Sequence, residues 1–234
     1  MPYTRIARLA FMLHSPDDVS QEQFFAALTS RRPRLEELAG SLDLAVRIGV
    51  RHPEEHSGGN GAGSAEGVEG AAEFSTPADR LDDLRAAAGA IGALLTDIVD
   101  TRNSIVLVGP GYETIEPRAA YTFLSLTFQR VPGTTLEQMR TWWRDQHGPL
   151  ASGLLAPELL AYDQVHVEPE LSELASRDAG FAYRAFDSYD NLTWTDYADF
   201  LRSVSKPGTG EALAQDEQGH LDRATFVGGM MQRV

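Results

Sequence analysis

The chain has 234 residues, a net charge of −14, no cysteine, 42% apolar and 9% aromatic residues. This length suits one large domain or two small ones, and the missing cysteine excludes disulfides, thiolate metal sites and cysteine nucleophiles. The charge opposes nucleic acid and anionic membrane as partners, and no run approaches the roughly 20 apolar residues of a membrane span.

The N-terminal run "MPYTRIARLAFMLHSP" has too short an apolar core and no small-residue cleavage site for a signal peptide. A cytoplasmic protein acting on a small molecule is therefore expected. Within that run, "RIARLAFMLH" at 5–14 alternates apolar and polar residues and predicts a half-buried strand. Ser20-Gln21-Glu22-Gln23 follows as a Ser-x-x-Gln capping box, which opens a helix. A second alternating run, "LDLAVRIGVRH", covers 42–52. Residues 53–67, "PEEHSGGNGAGSAEG", are Gly-rich with no hydrophobic anchor and predict an inserted mobile loop. Then come a third strand ("VEGAAEF", 68–74), a second helix (77–99) and a fourth strand ("SIVLVG", 104–109). Gly109-Pro110-Gly111 reads as a turn and lacks the spacing of a nucleotide fingerprint.

The same order then recurs. Strand "YTFLSLTFQR" (121–130) precedes Thr135-Leu136-Glu137-Gln138, a second capping box that falls on Ser20–Gln23 when the chain is laid against itself. "PELLAYDQVHVEP" (157–169), "YRAFDS" (183–188), a helix at 195–204 and "TFVGGMM" (225–231) complete it. The predicted class is α+β: two ferredoxin-like βαββαβ units forming an intramolecular, pseudo-dimeric α+β barrel. The first unit takes residues 1–115 and the second 116–234, with the junction near 112–119.

Strand parity sorts the faces. One face carries Ala7, Leu9, Phe11 and Leu13 with Leu44, Val46, Ile48 and Val50. In the second half it carries Thr122, Leu124, Leu126 and Phe128 with Leu159, Ala161, Val165 and Val167, interrupted by Asp163. This face is expected under the helices. The opposite face is mixed, with Arg8, Met12, Arg47 and Arg51 from one half and Phe123, Ser125, Tyr162, Gln164 and His166 from the other. Two such faces turned together would enclose a ligand cavity; the alternative is a pair of ordinary exposed faces.

In the helix opening at Thr135, Leu136, Met139, Trp143 and Leu150 form an apolar stripe that His147 extends. Gly148-Pro149 is expected to end the helix there. His147 then reads either as a general acid or base or as a cap for free carbonyls. Its counterpart in the first half is Arg32. Residues 187–200 read as a strand-to-helix connection capped by Thr195, or as a pocket rim bearing Tyr189, Trp194 and Tyr197. His52 and His56 bracket a Pro-bearing loop, and no histidine pair has the helical spacing of a zinc site, so no metal site is expected.

"EQMRTWWRDQHGPL", "YDQVHV" and "DEQGHLDR" together resemble the EthD-like family of dimeric α+β-barrel proteins, over residues 120–234. The resemblance carries over His147, Tyr162, Gln164, His166, Asp216, Glu217 and Asp222. Two departures stand out: Gly148 intervenes before Pro149, and His220 replaces an aromatic such as Phe. The family pairs two subunits sheet to sheet, which implies that this chain is a covalent version of that dimer, complete as a monomer or further paired as a homodimer. It also implies a small-molecule enzyme of catabolic or secondary metabolism, often without a cofactor.

The resulting expectation is cofactor-independent proton transfer, by a lyase, dehydratase or isomerase. His147, His166 and Tyr162 would be the catalytic groups. Arg8, Arg47 and Arg51 would hold an anionic, aromatic or hydrophobic substrate, with Trp143, Gln164, His220, Phe123 and Ser125 around it. The alternatives are a cofactor-free or haem-dependent oxygenase, haem being taken axially by His166, His147 or His220, and a non-catalytic binding protein.

Overall fold

The computed structural model describes residues 4–55, 66–115 and 121–234. The segment 56–65 of the Gly-rich loop, with His56, and the 116–120 stretch of the expected junction lie outside the described residues. No described helix is long and apolar enough to cross a membrane.

Both capping boxes form. Ser20 Oγ accepts from the Gln23 amide at 3.2 Å and Gln23 Oε1 from the Ser20 amide at 3.0 Å, opening α1 (Gln21–Ser41). Thr135 and Gln138 repeat the exchange at 3.1 and 2.9 Å and open α4 (Leu136–Trp142). Each helix thereby satisfies two amides that have no intrahelical acceptor.

The first repeat holds β1 (Thr4–Leu13), β2 (Ala45–Arg51), the short β3 (Glu66–Gly67), β4 (Gly70–Pro77) and β5 (Ile105–Ile115). The second holds β6 (Thr122–Arg130), β7 (Ala161–His166), β8 (Ser188–Trp194) and β9 (Leu221–Arg233). Strand order is β2-β4-β1-β5 in one and β7-β8-β6-β9 in the other, the same ferredoxin-like arrangement twice. The last strand of each repeat pairs with the second strand of the other. β5 lies on β7, with Gly111 opposite Val165, and β9 lies on β2, with Met231 opposite Arg51. The barrel closes through these two seams, so neither repeat leaves a long open edge.

Several elements differ from the sequence reading. The predicted helix at 77–99 is a 3-10 turn (Ala78–Arg80) followed by α2 (Leu81–Ala86) and α3 (Ala88–Gly92). The sequence reading did not include α6 (Pro169–Ala179) or α8 (Thr209–Glu217). Pro169 in the first turn of α6 and Gly180, left-handed at φ 81° just past its end, are the signals that mark it. The third strand of the second half begins at Ser188, where 183–188 was expected to form it. Asp196, rather than Thr195, caps α7 (Tyr197–Val204), its carboxylate accepting from the Asp199 amide at 2.8 Å.

The first-half face packs as expected: Leu9, Phe11, Leu13, Ile48 and Phe74 bury against Phe24, Leu28 and Leu35 of α1. In the second half the parity of β7 is the reverse of the expected one. Tyr162 buries with Leu124, Phe128 and Trp143 under the helices, while Val165 and Val167 face the barrel interior with Met12, Phe123 and Met231. The strand is buried on both faces, so hydrophobicity does not orient it. Asp163 was the clue, because it points inward to Arg8 at 2.6 Å.

Among the described residues, these apolar side chains and a buried polar cluster occupy the barrel interior where a cavity was expected. Glu73 accepts from Arg8 Nη1 at 3.2 Å, Arg47 Nε at 3.0 Å, Asn191 Nδ2 at 2.7 Å and the Tyr189 hydroxyl. Removing one partner of such a cluster leaves buried charge uncompensated. Glu73→Ala should therefore lose about 3–5 kcal/mol of stability; urea unfolding measures it, and a loss under about 1 kcal/mol would mean that the cluster does not hold the barrel.

Candidate functional site

The helix does not stop at His147. Residues Trp143–His147 form a π turn, in which the Gly148 amide bonds to the Trp143 carbonyl, and the chain runs on as α5 (Gly148–Leu155) with Pro149 in its first turn. Pro149 is tolerated there because the first turn of a helix does not need its N–H. Gln164 Nε2 pins the turn to β7, donating to the Trp143 carbonyl at 2.8 Å and to Tyr162 Oη at 3.1 Å. A Cβ on Gly148 would stand 2.8 Å from that same Nε2, so glycine at this position lets the helix approach the strand.

The π turn buries His147 (5% exposed) against the Trp142 ring, 5.1 Å away. Its Nδ1 lies 2.8 Å from Asp216 Oδ2 on α8. In the neutral ring, a carboxylate partner places the hydrogen on Nδ1 and leaves the lone pair on Nε2.

His147 lines a cavity of about 300 Å³ between the outer face of the second repeat's sheet and helices α5, α7 and α8. Leu124, Leu126, Leu155, Leu192 and Phe226 give it apolar walls. Its other polar groups are Tyr162, Asp190, Glu217 and Arg223. Glu217 and Arg223 are paired with each other at 2.7 Å. Asp190 is 5% exposed, and its Oδ1 has no hydrogen-bond partner. Burial raises its carboxyl well above the usual range, with Glu217 and Asp163 adding to the shift and the Tyr162 hydrogen bond opposing it. Burial, then Asp190, likewise holds the Tyr162 phenol well above its ordinary value. Burial thus favours the neutral form of both groups.

The other residues singled out in the sequence lie elsewhere. His166 stacks on Trp143 at 5.3 Å and lies 4.6 Å from the Tyr112 ring; burial, then Arg140 and Arg144, pulls its imidazole down to about 3. Trp143 packs on Phe128 in the core, and Gln164 serves the π turn. His220 stacks flat on Trp142 at 4.2 Å beside an open surface groove, so it fills the volume of the aromatic it replaces. Arg8, Arg47, Phe123 and Ser125 belong to the barrel interior, Arg47 lying 4.6 Å over the Phe123 ring and Ser125 Oγ 2.9 Å from Tyr189 Oη. Arg51 donates to the Val68 carbonyl at 2.9 Å and faces Glu69. Tyr189 joins the interior cluster, Trp194 lines the cavity wall, and Tyr197 stacks on His52 at 4.3 Å. Asp222 shapes a turn by accepting from the Ala224 amide.

The sequence reading missed Asp190. It shares the outer face of β8 with Leu192 and Trp194, and a carboxylate in an otherwise apolar alternation is the signal that could have found it. Among the described residues no group of three or more His, Asp or Glu side chains is arranged to hold a metal ion.

Comparison with known proteins agrees with this architecture. The family model for the EthD domain matches residues 131–224. No curated protein matches the sequence. Among solved structures, the chain is similar to a monooxygenase candidate from Lactobacillus acidophilus NCFM (TM-score 0.55, 10% identity, 98% of this chain and 94% of that one). It is similar also to an anthrone oxidase-like protein (TM-score 0.57, 9% identity, 99% and 92%). A third is a candidate DyP-type peroxidase from Shewanella oneidensis (TM-score 0.55, 11% identity, 97% and 92%). At these identities the likeness is one of fold, and it spans both repeats.

The raised Asp190 carboxyl has a consequence for stability. Its folded value lies above the unfolded value of about 3.9, so the folded chain keeps a proton that the unfolded chain gives up as pH rises. That contribution is fully present below about pH 4 and is lost as pH climbs toward the folded value. Asp190→Asn cannot ionise. The stability of this variant relative to the wild type should rise from about pH 4 to neutrality; urea unfolding at a series of pH values reads it, and a pH-independent difference would contradict the assignment.

Proposed function

With an EthD domain at residues 131–224 in the second half of a two-repeat α+β barrel, we propose that the chain is a small-molecule enzyme that works by proton transfer, as a lyase, dehydratase or isomerase. The observation that carries this reading is the His147–Asp216 pair at 2.8 Å, set in the wall of a largely apolar cavity. A carboxylate on Nδ1 fixes the ring and stabilises the imidazolium that forms when Nε2 takes a proton. The apolar walls lower the local dielectric, which strengthens that electrostatic support. Tyr162 shares the cavity, its hydroxyl held between Gln164 Nε2 and Asp190. His166, stacked between Trp143 and Tyr112 and outside the lining, supports the π turn's surroundings in this reading and takes no proton.

Haem does not fit the chamber. His147, with one nitrogen on a carboxylate, has the arrangement of an axial ligand. Yet about 300 Å³ is at the small end of ligand pockets, and the polar lining is acidic. Arg223, the cation among the lining residues, is already committed to Glu217, so nothing is left to receive two propionates.

The names of the neighbouring structures point to oxygen chemistry, and the same base could ionise a phenol for reaction with dioxygen. Oxygen uptake by the protein with an electron-rich phenol would mark that chemistry. The proton-transfer reading is tested without knowing the substrate: cyclic ketones such as indanone and tetralone are incubated in deuterium oxide, and exchange at the carbon beside the carbonyl is followed by NMR. His147→Ala should slow protein-catalysed exchange by about 10²- to 10⁴-fold, and Asp216→Asn by less, because the imidazole remains. Unchanged exchange in folded His147→Ala would end the proposal.

A further inference from the structure

We propose that Asp190 is a second reacting group of this chamber, a carboxylic acid that donates its hydrogen to the oxygen of an uncharged carbonyl or phenol, and that the substrates are accordingly compact, neutral and oxygen-bearing. The inference deepens the proton-transfer reading of the same cavity and rests on it.

Strand geometry aims Asp190 at the cavity. On β8 it alternates with Leu192 and Trp194 on the face under the helices, while Tyr189 and Asn191 turn inward to Glu73. Its Oδ1 is buried and unpartnered. Its hydrogen-bond partner is the Tyr162 hydroxyl, which in turn receives Gln164 Nε2 at 3.1 Å. The charges that reach it, Glu217 and Asp163, are both acidic, and Arg223 is held by Glu217 at 2.7 Å. An ionised carboxylate there would be desolvated, without a cation and beside like charges. The protonated form avoids these costs, and with the Tyr162 hydroxyl on one oxygen its O–H falls on the other, for which no hydrogen-bond partner is found among the described residues. A buried polar group of this kind marks the place of a ligand atom.

The cavity then offers a reactant one acceptor, His147 Nε2, and one donor, Asp190. For an enolisable ketone the bookkeeping closes without a co-reactant. Nε2 takes the proton from the carbon beside the carbonyl, and the C–H electron pair becomes the C=C bond. The C=O π pair moves to oxygen, where Asp190 donates. The imidazolium exchanges its proton with solvent and delivers a solvent proton to the same carbon, which completes exchange, or delivers a proton to a conjugated carbon, which completes isomerisation. In either case the enol oxygen returns its hydrogen to Asp190. A neutral acid with a phenol beside it is a competent stabiliser of such an oxyanion. Anionic substrates would meet Glu217 and find Arg223 occupied. The volume is that of roughly ten waters at about 30 Å³ each, enough for a one- or two-ring compound.

Naphthol serves as the probe. The infrared difference between the protein and Asp190→Asn at pH 7 should contain a carboxylic-acid C=O band, and saturating naphthol should move that band to lower frequency. By fluorescence titration, Asp190→Leu should bind naphthol about five- to tenfold more weakly. If Asp190→Asn does not fold, Asp190→Leu replaces it in the infrared comparison. Absence of the band, a band indifferent to saturating naphthol, less than a twofold change in affinity, or no saturable binding would each overturn the inference. The two proposals fail separately: His147→Ala should lose ketone exchange yet keep the Asp190 band and its shift, and exchange that survives in His147→Ala removes the base while leaving the acid in place.

Discussion

One buried carboxylate organises the molecule. Glu73, on β4 of the first repeat, receives Arg8 and Arg47 from its own sheet and Tyr189 and Asn191 from the second repeat's β8. Asp163 brings β7 to the same cluster through Arg8. Charges this deep are tolerated when each has its partners, and the pattern of who bonds whom fixes how the two sheets face each other. The cost is that the space between the sheets is spent. Among the described residues, the chamber lined by His147 lies on an outer face, between sheet and helix.

There the two repeats part company. In the first, the ring of Phe11 meets Phe74 at 6.3 Å and Phe181 at 5.6 Å, and α1 adds Phe24 and Leu28. In the second, Leu126 stands where Phe11 stands when Ser20 is laid on Thr135, and its partner across the strands is Asp190, whereas Phe11 faces Ala72. A smaller apolar side chain and a carboxyl replace an aromatic plug. The same fold thus yields a packed half that supports the barrel and a half with a chamber.

Most of this fold was legible in the sequence because its signals are local. The two capping boxes and the alternation of 5–14 and 121–130 depend on neighbours a few residues away, and they located both repeats. What escaped depended on distant partners. Residues 161–167 read equally well with either face inward, because Tyr162 and Val165 are both apolar enough to be buried; Arg8, 155 positions away, decides the matter by taking Asp163. Arg8, Arg47, Phe123 and Ser125 were placed on the inner face, where they lie, but that face holds a polar cluster; the reversed parity misplaced Tyr162, Gln164 and His166. His147 and Tyr162 line one chamber, and they were singled out together by the resemblance and the helix stripe, not by the parity argument. Asp190 lay in a stretch read as a connection, so its place in an apolar alternation went unseen.

The departure at Gly148 shows how the chamber gets its shape. Had the helix ended at His147, the imidazole would sit in a final turn near solvent, a natural cap for free carbonyls. Instead the amide of Gly148 reaches back one residue further than in an α-helix, to the Trp143 carbonyl, and Gln164 adds a second bond to the same oxygen. Such π turns are locally unfavourable and persist where tertiary bonds hold them. Here the bonds come from Gln164, whose amide also touches Tyr162, so one side chain fixes both the turn carrying His147 and the phenol across the cavity. Glycine suits position 148 because a Cβ there would stand 2.8 Å from that amide nitrogen and push it aside. The extra residue before Pro149 therefore sets the register by which His147 faces Asp216 on α8 and opens toward the apolar space that Asp190 shares.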